Sequence, residues 1–140
     1  MNSSPNGAAR LPESSYVLDA SALLAVILRE PGQDVVASAV AMGAVANAVN
    51  VSEVVAKLLD VGYSVEDAVT SLNAIQCRCL PFDTELAWQA GLLRAQTRAA
   101  GLSLGDRACL ALASSLGLPA LTADRAWAGL DVDVKIVLCR

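Results

Sequence analysis

Short runs of apolar residues that alternate with helical segments are the feature that most constrains the fold of this chain. Residues 16–18 form the first run, and further apolar runs cover 44–48, 77–80, 119–122 and 132–138. Strands with so few polar positions are typical of parallel sheets, which are buried on both faces. Right-handed crossovers place helices on both sides of such a sheet. The pattern therefore predicts an α/β protein, a three-layer α/β/α sandwich.

Helices are predicted between these strands from periodicity and from capping residues. The segments expected to be helical are 20–29, 33–42, 50–61, 65–75, 83–98, 103–116 and a short turn at 124–128. Ser64, Asp83 and Ser103 are predicted N-caps, and Gly62 and Gly101 are predicted helix ends. The polar residues 1–14 are predicted to be a flexible tail, and residues 15–140 a single domain.

Composition excludes several classes of site. The chain contains no histidine, which excludes Ser-His-Asp and Cys-His catalytic systems and every zinc site that uses histidine. Aromatic residues make up 4%, too few for base-stacking platforms. Cys77 and Cys79 lack the spacing of a zinc site. No signal peptide and no membrane-spanning run is visible, so a cytoplasmic location without membrane contact is expected.

Four acidic residues stand at predicted helix starts: Asp19, Glu53, Asp106 and Asp124. Each has an ordinary explanation as a capping residue, with Asn50 expected to cap the helix that holds Glu53, and Ser103 the helix that holds Asp106. However, Asp19 and Asp124 directly follow predicted strands. Ligands of open parallel sheets bind where the carboxyl ends of the strands meet. The positions therefore also fit a shared site.

The free energies of capping and of charge repulsion decide between a capping role and a shared site. An acid at a helix start gains roughly 0.3–1 kcal/mol, whereas two like charges 4 Å apart repel by about 4 kcal/mol at an effective dielectric constant of 20. Capping cannot account for crowded carboxylates, but a cation with a preference for oxygen, Mg²⁺ or Mn²⁺, can. Asp83 also follows a strand and caps a helix, so only the strand order can exclude it.

The segments that hold these acids resemble PIN-domain ribonucleases of the VapC toxin type. They are "YVLDASALLAVILREPG", "NAVNVSEVVAKLLDVG" and "LSLGDRACLALASSLGLPALTADRAW", and the resemblance spans residues 16–137. It implies a five-stranded parallel sheet with strands one, two and four at the centre. The strand before Asp83 would then lie at an edge, away from the other acids.

The resemblance also implies roles for individual residues. Asp19 and Asp106 would be the main Mg²⁺ ligands, and all four acids would be catalytic, with Glu53 and Asp124 acting directly, through water or at a second ion. Contacts to the ligands or to RNA are expected from Ser21, Asn50, Thr122, Arg107 and Arg125. For each of these five, a turn, a cap or a solvated surface residue is an equally good explanation. Trp88 and Trp127 are expected to be packing residues.

The implied function is a Mg²⁺-dependent endoribonuclease that is the toxin of a toxin–antitoxin pair. Its expected partners are an RNA substrate such as transfer RNA or ribosomal RNA, a VapB-like antitoxin, and a second copy of the chain. Two alternatives stay open. A haloacid-dehalogenase-like phosphohydrolase would need Asp-x-Asp, whereas Asp19 is followed two residues later by Ser21. A non-catalytic binding module would use the acids only as caps.

Overall fold

The computed structural model describes residues 15–140, and the predicted tail at 1–14 lies outside them. The elements follow in the order β1 (Val17–Leu18), α1 (Ala20–Ile27), α2 (Gln33–Ala41), β2 (Val45–Asn47), α3 (Ala48–Asp60), α4 (Val65–Ile75), β3 (Arg78–Leu80), α5 (Thr84–Leu92), α6 (Arg94–Thr97), a 3-10 turn (Arg98–Ala100), α7 (Leu104–Leu116), β4 (Ala120–Thr122), a second 3-10 turn (Arg125–Gly129) and β5 (Ile136–Leu138). No helix within the described residues is long and apolar enough to cross a bilayer.

The five strands form one parallel sheet in the order β3-β2-β1-β4-β5. Val17 of β1 lies opposite Val45 of β2 on one side and Ala120 of β4 on the other. The predicted five-stranded parallel sheet is therefore confirmed, with β1, β2 and β4 at its centre and β3 at one edge. Because all strands run the same way, the residues that follow β1, β2 and β4 meet at one edge of the sheet.

Helices cover both faces of this sheet. Leu18 packs into one apolar cluster with α1 to α4, whose members include Leu23 and Leu58. Val17 packs into a second cluster with α5 and α7, whose members include Cys109 and Trp127. Successive side chains of a strand point to opposite faces, so the two residues of β1 anchor two separate layers. The three-layer α/β/α prediction is confirmed.

The helix predicted at 83–98 is broken into shorter pieces. Asp83 does cap α5, since its carboxylate accepts the Leu86 amide at 3.0 Å, but α5 ends at Leu92. Gly91 lies in its last turn, where glycine is less favourable than alanine by roughly 0.5–1 kcal/mol. The Thr97 hydroxyl also donates to the backbone one turn earlier, a bond that bends helices.

Two further predictions about packing and strand length are corrected. Trp127 is buried as predicted, but Trp88 is 71% exposed on the surface of α5 and is not a core residue. The last strand begins at Ile136 rather than at residue 132. Asp131 and Asp133 precede it, and aspartate is depleted in strands.

Candidate active site

Asp19 is the most buried of the four predicted acids, with 3% of its surface exposed. It follows β1 and caps α1, because its Oδ1 accepts the Ala22 amide at 2.9 Å. Ser21 donates to Oδ1 at 2.8 Å, and Thr122 donates to Oδ2 at 2.5 Å. Burial raises the pKa of Asp19 from 3.8 to about 6. The hydrogen bonds from Thr122, Ala22 and Ser21 oppose this rise, whereas the negative charge of Asp106 adds to it.

A hydroxyl network joins the start of α1 to the turn that follows β4. Ser21 Oγ accepts the Ala123 amide at 2.9 Å, and Thr122 Oγ1 accepts the Asp124 amide at 3.0 Å. Asp124 in turn caps the second 3-10 turn through the Ala126 amide at 3.0 Å, and it is exposed. Asp124 is therefore connected to Asp19 through one threonine, at the edge that the sequence predicts.

Asn50 does not cap α3. The strand β2 ends at Asn47, whose side chain accepts the Val49 amide at 2.7 Å, so the helix begins earlier than predicted. Asn50 instead lies buried inside α3. Its Nδ2 donates to Glu53 Oε1 at 2.9 Å and to the carbonyl oxygen of Gly105 at 3.0 Å.

Gly105 brings α7 into direct contact with Glu53. A Cβ atom placed on Gly105 would overlap both carboxylate oxygens of Glu53. The close approach requires a residue without a side chain. Asn50 therefore orients Glu53 over the first turn of α7, and a side chain at position 105 would force the Glu53 carboxylate to move.

Asp106 occupies a capping box with Ser103, as predicted. The Ser103 amide donates to Asp106 Oδ2 at 3.0 Å, and the Asp106 amide donates to Ser103 Oγ at 3.1 Å. No strand precedes this helix directly, but α7 packs against β1, β2 and β4. Its first turn therefore reaches the same edge as Asp19.

The Cys109 thiol is a buried group on which three of the four acids act electrostatically. It is fully buried on α7, three residues after Asp106. Burial raises its pKa well above 9.0, and the charges of Asp19, Asp106 and Glu53 raise the pKa further. Carboxylates from three elements therefore act electrostatically on the same buried thiol. Sequence reasoning missed Cys109, although its spacing from Asp106 by one helical turn is a usable signal.

Basic side chains do not neutralise these acids. Within residues 15–140, the one ion pair closer than 4 Å joins Arg140 to Glu30 at 3.3 Å. Arg107 donates instead to the Ala90 carbonyl oxygen at 2.9 Å, which fixes it between α7 and α5. Arg125 donates to the carbonyl oxygen of Arg140 at 2.9 Å. RNA contacts by Arg107 and Arg125 stay predictions.

The carboxylate oxygens of the four acids are suitable ligands for a divalent cation. All four acids offer oxygen, the ligand of Mg²⁺ and Mn²⁺. The second carboxylate oxygens of Glu53, Asp106 and Asp124 have no hydrogen-bond partner in the part of the chain described. In the same residues, however, no three acidic or cysteine side chains converge closely enough to hold an ion. Asp19, Asp106 and Asp124 are each held at the start of a helix or 3-10 turn, whereas Glu53, predicted at a helix start, lies in the second turn of α3.

Asp83 takes no part in this arrangement. It follows β3, at the edge of the sheet, and its carboxylate caps α5. The strand order thus excludes Asp83 from the candidate site, which local sequence alone could not do.

Comparison with known proteins identifies relatives of the chain. The sequence profile of the PIN domain family matches residues 16–132, whereas no curated protein sequence is significantly similar. A DNA-bound VapBC from Salmonella typhimurium has 16% identity and a TM-score of 0.72, over 90% of this chain and 98% of that chain.

Two structures from Mycobacterium tuberculosis are also similar. VapC20, a sarcin-ricin loop cleaving toxin, has 18% identity and a TM-score of 0.65, over 86% of this chain and 98% of that chain. VapBC-5 has 20% identity and a TM-score of 0.61, over 91% of this chain and 98% of that chain. At these identities the likeness concerns the fold.

Proposed function

This chain belongs to the PIN domain family, and from that premise we propose that it is a Mg²⁺-dependent endoribonuclease that acts as the toxin of a toxin–antitoxin pair. The proposal is supported by two observations: Asp19 is buried at the end of β1, where the charge of Asp106 acts on it, and Asn50 joins Glu53 to Gly105 in the first turn of α7. Within residues 15–140 no ion pair neutralises these acids. Like charges repel by about 4 kcal/mol at 4 Å and about half of that at 8 Å, at an effective dielectric constant of 20. An acid at a helix start gains only roughly 0.3–1 kcal/mol, and Glu53, in the second turn of α3, has no such gain. A bound cation therefore explains the negative charge at this edge better.

In this proposal Asp19 and Asp106 hold the ion, and Glu53 and Asp124 bind it directly, through water, or at a second ion. When bound, Mg²⁺ or Mn²⁺ lowers the pKa of a coordinated water and neutralises charge on the scissile phosphate. Ser21 and Thr122 hold the carboxylate of Asp19 in place. Asn50 does the same for Glu53.

The chemical step would be attack of water on the phosphorus atom. One carboxylate orients the water and takes its proton; Glu53 suits this task because its Oε2 is not engaged within the described residues. The bond from phosphorus to the 3′ oxygen breaks as the new bond to the water oxygen forms. The products are a 5′-phosphate and a 3′-hydroxyl, with transfer RNA or ribosomal RNA as the expected substrate class.

The partners follow from the toxin proposal. The similar structures from Salmonella typhimurium and Mycobacterium tuberculosis are VapBC complexes, and by analogy we propose a VapB-like antitoxin for this chain. The C-terminal segment of the antitoxin would cover the edge of the sheet that holds the four acids and would place an arginine there. A homodimer and a cytoplasmic location complete the proposal.

A non-catalytic binding module on the same fold is the alternative. Asp19, Asp106 and Asp124 are each hydrogen-bonded at a helix start, and that observation alone is compatible with a purely structural role. Such a module would bind its partner without Mg²⁺ and would cut no RNA.

Cleavage assays with matched variants distinguish the two functions. Purified protein is incubated with total RNA and Mg²⁺, and the new RNA ends are sequenced. Asp106→Asn and Asp19→Asn should each slow cleavage at least 100-fold, while Asp83→Asn, a cap at the edge of the sheet, should cleave at the wild-type rate. Cleavage by Asp106→Asn at the rate of Asp83→Asn would overturn the nuclease proposal.

Expression of the chain without its partner tests the toxin role. Growth should stop in cells that express the wild type and should continue in cells that express Asp19→Asn at equal protein level. Growth arrest by both proteins, with intact RNA, would argue for a different mode of action.

A further inference from the structure

A pair of thiols lies on the edge strand, two strands away from β1. Cys77 directly precedes β3 and Cys79 lies within it. Side chains two residues apart on an extended segment point to the same face. Accordingly, both thiols line one cavity of about 190 Å³.

The cavity that receives these thiols is uncharged. Leu23, Val51 and Leu72, from α1, α3 and α4, form apolar walls, and the amides of Asn73 and Gln76 complete the lining. Gln76 adopts a left-handed conformation with φ 60° at the end of α4. This turn directs the chain from α4 into β3.

Strand geometry disfavours a disulfide between the two residues. Two residues of a strand span about 6.6 Å between Cα atoms, whereas disulfides are most common at about 5.5–6 Å and reach an upper limit near 6.8 Å. Both cysteines are free thiols. A single ion between the sulfurs allows a wider separation than a direct sulfur–sulfur bond.

We propose that Cys77 and Cys79 form a binding site for one Cu(I) ion. Thiolates are soft ligands that select Cu(I), zinc or iron–sulfur clusters. Structural zinc requires four ligands, and this cavity offers two thiols and neutral amides. A monovalent soft ion that accepts two sulfur ligands matches this pair of thiols.

Binding is a proton exchange without a change of oxidation state. Cu(I) displaces one proton from each thiol, two copper–sulfur bonds form, and the product carries one negative charge. Binding of each ion therefore releases two protons. Affinity should therefore increase with pH.

Anaerobic titration of the full chain with Cu(I), against a chromogenic Cu(I) chelator, tests the site. The wild type should bind one ion, and Cys79→Ser and Cys77→Ser should each weaken binding at least 100-fold. Cys79 is exposed, so its substitution is not expected to disturb folding. Cys139→Ser is the matched control, since Cys139 lies outside this cavity, and it should bind as the wild type does.

Two further measurements identify the ligands. X-ray absorption of the loaded protein should show two sulfur neighbours, and Cu(I) should protect Cys77 and Cys79 from alkylation in peptide mass maps. Wild-type affinity in Cys79→Ser, or equal affinity for Zn²⁺ and Cu(I), would overturn the proposal. Asp19→Asn should retain Cu(I) binding, so a failure of the nuclease proposal and a failure of this one are distinguishable.

Discussion

The carboxylate of Glu53 lies where a side chain at Gly105 would otherwise stand. Asn50 holds the two together, because its Nδ2 donates both to Glu53 Oε1 and to the carbonyl oxygen of Gly105. The helices α3 and α7 thus meet at a glycine, and their contact determines where one of the four acids points.

Substitution of Gly105 by alanine should destabilise the protein and reduce RNA cleavage. The new methyl group would overlap the Glu53 carboxylate, which would have to move and lose the hydrogen bond from Asn50, a loss of about 0.5–1.5 kcal/mol. The displaced carboxylate should also lower cleavage at least tenfold. Urea unfolding and the cleavage assay measure the two effects.

Gly91→Ala is the control for that substitution. Gly91 is also helical, and a Cβ there would meet no atom within 4 Å. Replacement of a helical glycine by alanine should stabilise the protein by up to about 1 kcal/mol, with cleavage unchanged. Equal stability of the two variants would contradict the close contact between Gly105 and Glu53.

Addition of Mg²⁺ or Mn²⁺ should raise the melting temperature of the wild type. An ion that binds only the folded state adds about 1.4 kcal/mol at ten times its dissociation constant, which amounts to several degrees for a domain of this size. Asp19→Asn should lose most of this increase, and Asp83→Asn should keep it. A similar increase in both variants would place the metal elsewhere.

Without metal, stability should fall as pH increases from about 4 to 6. The folded state keeps the proton of Asp19 up to a pKa of about 6, whereas the ordinary value is 3.8. The folded state therefore binds more protons in this window, and ionisation of the buried carboxylate removes up to about 3 kcal/mol of stability. Asp19→Asn should lack this component.

Urea unfolding in a chelator at several pH values measures that difference. The stability advantage of Asp19→Asn over the wild type should grow through the window and stay constant above it. Parallel pH profiles would show that Asp19 titrates normally.

Thr122→Val should weaken metal binding without unfolding the protein. The variant loses the donor to Asp19 Oδ2, so the pKa of Asp19 should increase further and the carboxylate should be less well oriented. Residues that orient metal ligands typically contribute 10–100-fold to affinity. The metal-dependent shift in melting temperature gives the affinity.

Thr97→Val is the comparison for that effect. Thr97 is buried, and its hydroxyl donates to the Leu93 carbonyl oxygen at 2.8 Å, a bond that involves none of the four acids. Its loss should cost about 1 kcal/mol and leave metal affinity unchanged. If both variants lost affinity equally, a general loss of stability would be the cause.

Local sequence predicted the helix starts well because capping is a short-range effect. The hydrogen bonds of Ser64, Asp83 and Ser103 reach only three residues along the chain. Asn50 was assigned wrongly because Asn47 offers the same chemistry three residues earlier. Where β2 ends decides between them, and its pairing partners are distant in sequence.

Long-range burial was the less predictable property. Trp88 and Trp127 have the same side chain, yet one is exposed and the other buried. The neighbours that cover Trp127 belong to the sheet and to α7, whereas nothing in residues 15–140 covers the outer face of α5 to the same degree.

The alternation of buried strands with capped helices, and the presence of Asp19, Asp106 and Asp124 at helix starts, are determined by the sequence itself, because periodicity and capping depend on neighbours a few residues away. Which acids share a site is decided by the strand order. Apolar burial and backbone pairing between distant segments select that order. It places the ends of β1, β2 and β4 together and leaves Asp83 after the edge strand β3.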